Sequence, residues 1–287
     1  MKSKIISFGE IMMRLSPPAF QRFTQTSVFD VVYGGSEANV VVSLAHLGMP
    51  AEHVTRFPDN DLGRSATAEL NRHGVSTEHI VYGAERMGVY LMEHGASVRA
   101  SKVIYDRADS AFANLTPSMF DWDEILKDAA WFHWSGITPA VSQGAADACY
   151  QAVRTARKLG LTISGDINYR RNLWQYGKTA LDIMPSLIGE CDVIIGGLAD
   201  FENCLDVREK DFSKACVAIT KKYPGIKKII STYRDTVDAS RNSFSSVLWG
   251  SAGLLNSKTY DLTHIVDRIG TGDAFMAGLI YGWLNNK

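Results

Sequence analysis

The chain has no C-x-x-C pair; its four cysteines, Cys149, Cys191, Cys204 and Cys216, are widely spaced. That spacing argues against a thiolate zinc site or a disulfide framework, and reduced core thiols are expected. No charge of one sign dominates, with 30 Lys and Arg against 31 Asp and Glu and a net charge of −1. Bulk attraction to nucleic acid or to an anionic membrane is therefore excluded. No apolar run approaches the ~20 residues needed to cross a bilayer. The N-terminal run Ile5-Ile6-Ser7-Phe8 meets Glu10 too early for a signal peptide. Internal repeats, low-complexity tracts and long linkers are also lacking. What is there is 287 residues, 46% hydrophobic and 21% charged. This is the composition of a soluble, cytoplasmic globular protein with a small-molecule partner, built as one large α/β domain with a small appendage.

From about residue 120, strand-like and helix-like segments alternate. Strands are expected at 130–135, 161–166, 192–195 and 228–232, and helices at 143–159 and 212–223. Such alternation implies βαβ units in a mostly parallel, doubly wound sheet, whose ligands bind beyond the carboxyl ends of the strands. The first third reads differently. A strand at 5–8 precedes an irregular stretch, a strand at 28–33, and a helix from Ser36 to Leu47 ended by Gly48. Further strand-like pieces lie at 88–94 and 98–107. These pieces, with residues 11–33, read as a small β-sheet standing off the main domain as a lid, with lid strands from about 11–33 and 88–110.

The most informative stretch is Asp267-Arg268-Ile269-Gly270-Thr271-Gly272-Asp273, which opens onto an apolar helix at 274–284. Glycines let a turn expose consecutive N–H groups, and a helix start adds about half a positive charge. Together they form an anion hole. A carboxylate there is either a helix cap or a base that takes a proton from a hydroxyl attacking phosphorus. The helix is apolar on every side, which predicts all-round burial and a natural C-terminal segment, or another chain, to cover it.

Two other phosphate motifs fail. Gly177-Lys178-Thr179 ends like a Walker A loop, but Asn172 stands at the first glycine and Trp174, Gln175 and Tyr176 are too bulky for a nest. A dinucleotide fingerprint at Gly270-x-Gly272 fails at Phe275. Tyr33-Gly34-Gly35-Ser36-Glu37-Ala38-Asn39 sets two glycines against a helix start. It is either a capped turn or a close backbone approach to a polyhydroxyl ligand, with Asn39 bonding it.

Gly34-Gly35 with Asn39, Gly48, Asp61-x-Gly63 and Gly270-Thr271-Gly272-Asp273 together resemble the ribokinase-like (PfkB) carbohydrate kinases over essentially the whole chain. Within that family the chain is most similar to the 2-keto-3-deoxygluconate kinases, in Phe8–Met12, Gly35–Val40, Asp166–Arg170 and Val266–Gly270. The resemblance implies one three-layer α/β/α domain over 1–287 with the β-sheet lid. It implies Asp273 as base, and the N–H groups of Gly270, Thr271 and Gly272 as the cradle of the transferring phosphoryl. Gly34, Gly35 and Asn39 would contact substrate hydroxyls. Tyr90, Tyr105 and Arg107 would reach down from the lid, and Asn168 and Arg170 would enter from their strand end. Asp200, Thr232, Gly270 and Gly272 would meet the nucleotide. ATP and Mg²⁺, with a monovalent cation as a possible further ion, would be the cofactors.

An aldonate carboxylate is matched by guanidinium, and Tyr105-x-Arg107 and Tyr169-Arg170-Arg171 pair aromatic with cationic groups near strand ends. The expectation is thus a sugar-acid kinase, with a fructokinase-type enzyme and a non-catalytic sugar-binding protein as alternatives. A homo-oligomer is expected through lid edges. Two segments depart from the family. Gly197-Leu198-Ala199-Asp200 replaces N-x-x-E, leaving Asp200 to serve magnesium through water. Thr232-Tyr233-Arg234-Asp235-Thr236 stands where a glycine turn covers the nucleotide.

Overall fold

The structure, a computed structural model, describes residues 4–83, 86–236, 238–239, 241–263, 265–267 and 269–286. The first third runs β1 (Lys4–Phe8), β2 (Met12–Ser16), β3 (Asp30–Gly34), α1 (Ser36–His46), β4 (Ala51–Val54), β5 (Arg56–Pro58) and α2 (Asp61–Arg72). It continues through β6 (Val81–Gly83), β7 (Val89–Glu93), β8 (Lys102–Asp106) and α3 (Trp122–Leu126). The middle is β9 (Ala129–Ser135), α4 (Ile137–Val141), α5 (Gln143–Lys158), β10 (Thr162–Asp166), α6 (Ala180–Ile188), β11 (Val193–Ile195), α7 (Leu198–Leu205) and α8 (Phe212–Lys222). The last part is β12 (Lys228–Thr236), β13 (Asn242–Gly250), β14 (Gly253–Asn256), β15 (Tyr260–Leu262) and α9 (Thr271–Leu284).

The main sheet follows the order β14-β13-β12-β11-β10-β9-β1-β4, with β15 also on β13. The strands from β4 to β12 pair in parallel, and the β13 hairpin edge is antiparallel. Parallel strands buried on both faces send alternate side chains to opposite cores. Ile5, Trp131, Val193 and Ile230 join one cluster with α1, α2 and α9. Ile6, Phe132, Ile194 and Ile229 join the other with α3, α5, α6, α7 and α8. Three layers result. Strand succession reverses between β1 and β9, so the crevice for a ligand opens beyond the strand ends there.

The pieces expected to stand off the domain form a separate four-stranded sheet, in the order β3-β2-β7-β8. Among the described residues no helix is long and apolar enough to cross a membrane. Two expectations shift. The strand expected at 228–232 continues to Thr236 and folds back on β13, because this run has no glycine and pairs from Ile229↔Trp249 to Thr236↔Asn242. Helix α9 begins at Thr271 and buries one stripe, Met276, Ala277 and Ile280. Its Ala274 and Gly278 are exposed, small residues that offer water little apolar surface.

Candidate active site

Gly270 is the N-cap of α9 with φ +82°, a left-handed conformation that glycine adopts without a Cβ penalty. Helix starts present N–H donors without intrahelical acceptors, an arrangement that can receive an anion. Asp273 lies in the same first turn. Helix α1 holds its carboxylate from the side: Ser36 Oγ donates to Oδ1 at 3.0 Å and Asn39 Nδ2 to Oδ2 at 2.7 Å. α1 can come this close because Gly35 lacks a side chain; a Cβ there would stand 2.0 Å from the Glu10 carbonyl oxygen.

These groups line one side of a cavity of about 500 Å³. Gly34, Gly35 and Asn39 lie on its α1 side, and Gly270, Thr271, Gly272 and Asp273 at the α9 head. Tyr90 and Tyr105 cover it from the lid, directly paired across β7 and β8 with ring centroids 5.9 Å apart. From the end of β10 and the turn after it come Asp166, Asn168 and Arg170. Asn168 holds φ at +37°, strained backbone of the kind found at functional sites. Asp200 and Thr232 complete the wall. A second cavity of about 330 Å³, lined partly by Asp261 and Asp267, shares Arg234 and Thr271 with the first.

The electrostatics are those of a site short of positive charge. Burial raises Asp273 above the usual carboxylate range, while the Asn39 and Ser36 donors and the charge of Arg170 oppose the rise. Asp166 is pushed up to about 8, first by burial and then by the charges of Asp273 and Asp200. Beneath them Glu37 rises to about 7 through burial, despite hydrogen bonds from Ser135 and Thr138. Carboxylates packed this way favour a bound cation. Asp166 lines the cavity, and its charge is coupled to those of Asp273 and Asp200. Both oxygens of Asp200 already accept backbone N–H groups, from Tyr169 at 3.1 Å and from Gly197 at 2.7 Å, although water can still reach remaining lone pairs.

The pfkB family carbohydrate kinase model matches residues 2–287. The chain belongs to the pfkB carbohydrate kinase family. It is 32% identical over 280 residues to a 2-dehydro-3-deoxygalactonokinase of Haloferax volcanii, covering 98% of this chain and 84% of that protein. It is 27% identical to the 2-dehydro-3-deoxygluconokinase of Bacillus subtilis, covering 99% of this chain and 84% of the relative. The crystal structure of a 2-dehydro-3-deoxygluconokinase from Thermotoga maritima superposes with a TM-score of 0.93 at 40% identity, over 99% of this chain and 88% of that one. The fold is thus ribokinase-like, and the chain is a carbohydrate kinase with ATP as the family's cosubstrate.

Against the pfkB expectations one residue moves. Arg107 does not line the cavity. It lies just past the end of β8, where its guanidinium pairs with the buried Glu10 carboxylate, which also accepts from Ser110 Oγ at 2.7 Å. A carboxylate with 2% of its side chain exposed needs a counter-charge, and that demand outweighs a place at the cavity wall. Asp200 is chiefly a helix cap: it stands at the third residue of α7 and closes back on Gly197. Ser36, Asp166 and Arg234 are among the cavity residues that escaped the sequence argument. Ser36 shares a face with Asn39 by its i, i+3 spacing, a signal that could have found it. Asp166 was visible as the carboxylate at a strand end. Arg234 could not be placed until β12 was seen to extend.

Proposed function

We propose that this kinase transfers the γ-phosphoryl of ATP to the terminal hydroxyl of 2-keto-3-deoxygluconate. The observation that carries this reading is the Asp273 carboxylate held at the head of α9, inside the cavity that Tyr90, Tyr105 and Arg170 enclose. Asp273 takes the hydroxyl proton, the hydroxyl oxygen bonds to phosphorus, and the bond to the bridging oxygen breaks, leaving ADP. The turn at Gly270, Thr271 and Gly272 donates N–H groups to the transferring phosphoryl. Arg234, on the wall shared by the two cavities, meets the donor phosphates where they enter, beside Thr232. Gly34 and Gly35 admit the sugar close to the backbone, Asn168 bonds its hydroxyls, and Arg170 pairs its carboxylate. Mg²⁺ when bound neutralises phosphate charge; Asp166 would hold it, with Asp200 acting through water. The lid excludes water, and its exposed β8 edge supports a homo-oligomer.

The names of the relatives support a 2-keto-3-deoxyaldonate, and the test is a coupled ADP-release assay over the gluconate and galactonate epimers, fructose and ribose. Turnover of the aldonates far above the neutral sugars is expected. With Arg107 engaged by Glu10, one predicted cation is withdrawn from the substrate, which favours fructokinase-type activity as the second reading. Fructose as the preferred acceptor would establish it, and no ADP with any sugar would overturn both.

A further inference from the structure

Arg14 stands on β2 in register with Tyr90 on β7, and Tyr90 is in register with Tyr105 on β8. Residues directly opposite share a face of a sheet, so Arg14 belongs to the lid face that carries the two cavity tyrosines. Its side chain is only 12% exposed, and it faces the Tyr90 hydroxyl both as a charge and as a donor. The guanidinium nevertheless reaches out of the lid. Nη1 donates to Asp267 Oδ2 at 2.7 Å, joining residues 253 apart in sequence. The other oxygen, Oδ1, accepts the N–H of Ile269 at 2.9 Å. Ile269 is the residue before Gly270, whose left-handed φ starts the anion-binding head of α9. One unbroken series of contacts thus runs from a tyrosine over the sugar cavity to the turn that would hold the phosphoryl.

The lid is tied down at a second place, and the contrast between the ties defines their roles. At its root Arg107 pairs with Glu10, where 11% and 2% of the side chains are exposed. A pair so buried has no solvated alternative and stays made. The Arg14 pair is asymmetric: Asp267 keeps 35% of its side chain in water. Ion pairs reached by solvent are weak enough to open thermally. When this one opens, Asp267 can be rehydrated at once, and Arg14 remains on the lid. Its Nε is buried with no acceptor among the described residues, so the guanidinium depends on its Nη contacts and gains from recovering them.

Resting on the sugar-kinase reading above, the geometry points to the Arg14–Asp267 pair as a latch that couples sugar bound under the lid to the shape of the phosphoryl-binding turn. Arg14 is a positioning residue that touches neither reacting atom. A sugar packed against Tyr90 and Tyr105 favours the seated lid, the seated lid places Arg14 on Asp267, and Asp267 fixes Ile269 and the turn behind it. Because coupling between two binding sites is reciprocal, nucleotide tightens sugar by the same factor. The device also makes ATP turnover depend on an acceptor being present.

The test is calorimetric titration of the β,γ-methylene analogue of ATP, with Mg²⁺, into the full chain with and without saturating sugar. The wild type, Arg14→Ala, Arg14→Lys, Asp267→Asn and the Arg14→Ala/Asp267→Asn double variant are compared. In the wild type the sugar should tighten the analogue by roughly 5- to 150-fold. Each single variant should lose most of that factor while binding sugar alone nearly as before, the double variant should lose no more than either single, and Arg14→Lys should recover part of it. Retained coupling in both single variants, or losses that multiply in the double, overturns the latch. So does loss of sugar binding in a folded Arg14→Ala, which would make Arg14 a substrate ligand. The acceptor identified by the ADP-release assay is the sugar used. A wild type that binds fructose and not the aldonate therefore refutes the substrate reading alone, and the latch is judged on fructose.

Discussion

Asn39→Ala removes the shorter of the two hydrogen bonds that hold Asp273, the 2.7 Å bond to Oδ2. A hydrogen bond to a charged group contributes about 1.5–3 kcal/mol, and one pKa unit corresponds to about 1.4 kcal/mol. Losing this donor should therefore raise the pKa of Asp273 further and lower acid-side kcat/KM by roughly 10- to 150-fold. The base works ionised, the Asn39 and Ser36 donors favour that form, and burial opposes it. Activity should then be lost on the acid side and return as pH rises. The assay is kcat/KM for the sugar at saturating ATP and Mg²⁺ across pH at constant ionic strength, which reports the nucleotide-loaded enzyme before sugar binds. Ser36→Ala should move the acid limb the same way by less, since its 3.0 Å bond is the longer of the two. Asn39→Asp should move it further, because a second carboxylate beside Asp273 raises the pKa of one of the pair strongly. A limb that stays in place, with activity reduced equally at every pH, would refute the reasoning and leave Asn39 as a substrate contact alone.

Asp166, pushed up to about 8, must lose its proton to ligate a cation, so Mg²⁺ or Mn²⁺ affinity of the sugar-free enzyme should increase with pH up to about 8; Asp166→Asn should flatten that dependence in a Mn²⁺ titration. Arg107→Ala leaves the Glu10 carboxylate buried and unpaired, which should cost about 3–5 kcal/mol in denaturant unfolding, whereas the Arg107→Met/Glu10→Gln pair should recover much of that loss. Arg170→Ala should raise the aldonate KM by roughly 10- to 100-fold, the value of a charge-assisted pair, and leave the KM of a neutral sugar nearly unchanged.

The parts of this molecule that were legible in its sequence are those where one local pattern has one structural outcome. The apolar runs that became β9 and β10, and the helix after Gly35, were readable because periodicity and glycine placement suffice for them. The lid was readable because residues 11–33 and 88–107 offer no crossover helices. The side-chain partners were less so. Arg107 was expected over the substrate because it follows Tyr105 by two residues, but the chain leaves β8 at Asp106 and Glu10, 97 positions earlier, claims the guanidinium. Asp200 showed the same limit: its loss of a methylene against the family acid was visible, but its closure on Gly197 was not. Long-range charge pairing leaves no periodic trace, and Arg14 with Asp267 is the extreme case.

The central claim is that Asp273 is the base in a phosphoryl-binding turn, and Asp273→Asn tests it most directly. Asparagine keeps the side chain's shape and removes its capacity to accept the hydroxyl proton. Single-turnover phosphoryl transfer measured by quenched flow should slow by roughly 10²- to 10⁴-fold, with calorimetric affinity for the sugar close to that of the wild type. Transfer at the wild-type rate in a variant that binds sugar normally would contradict the account.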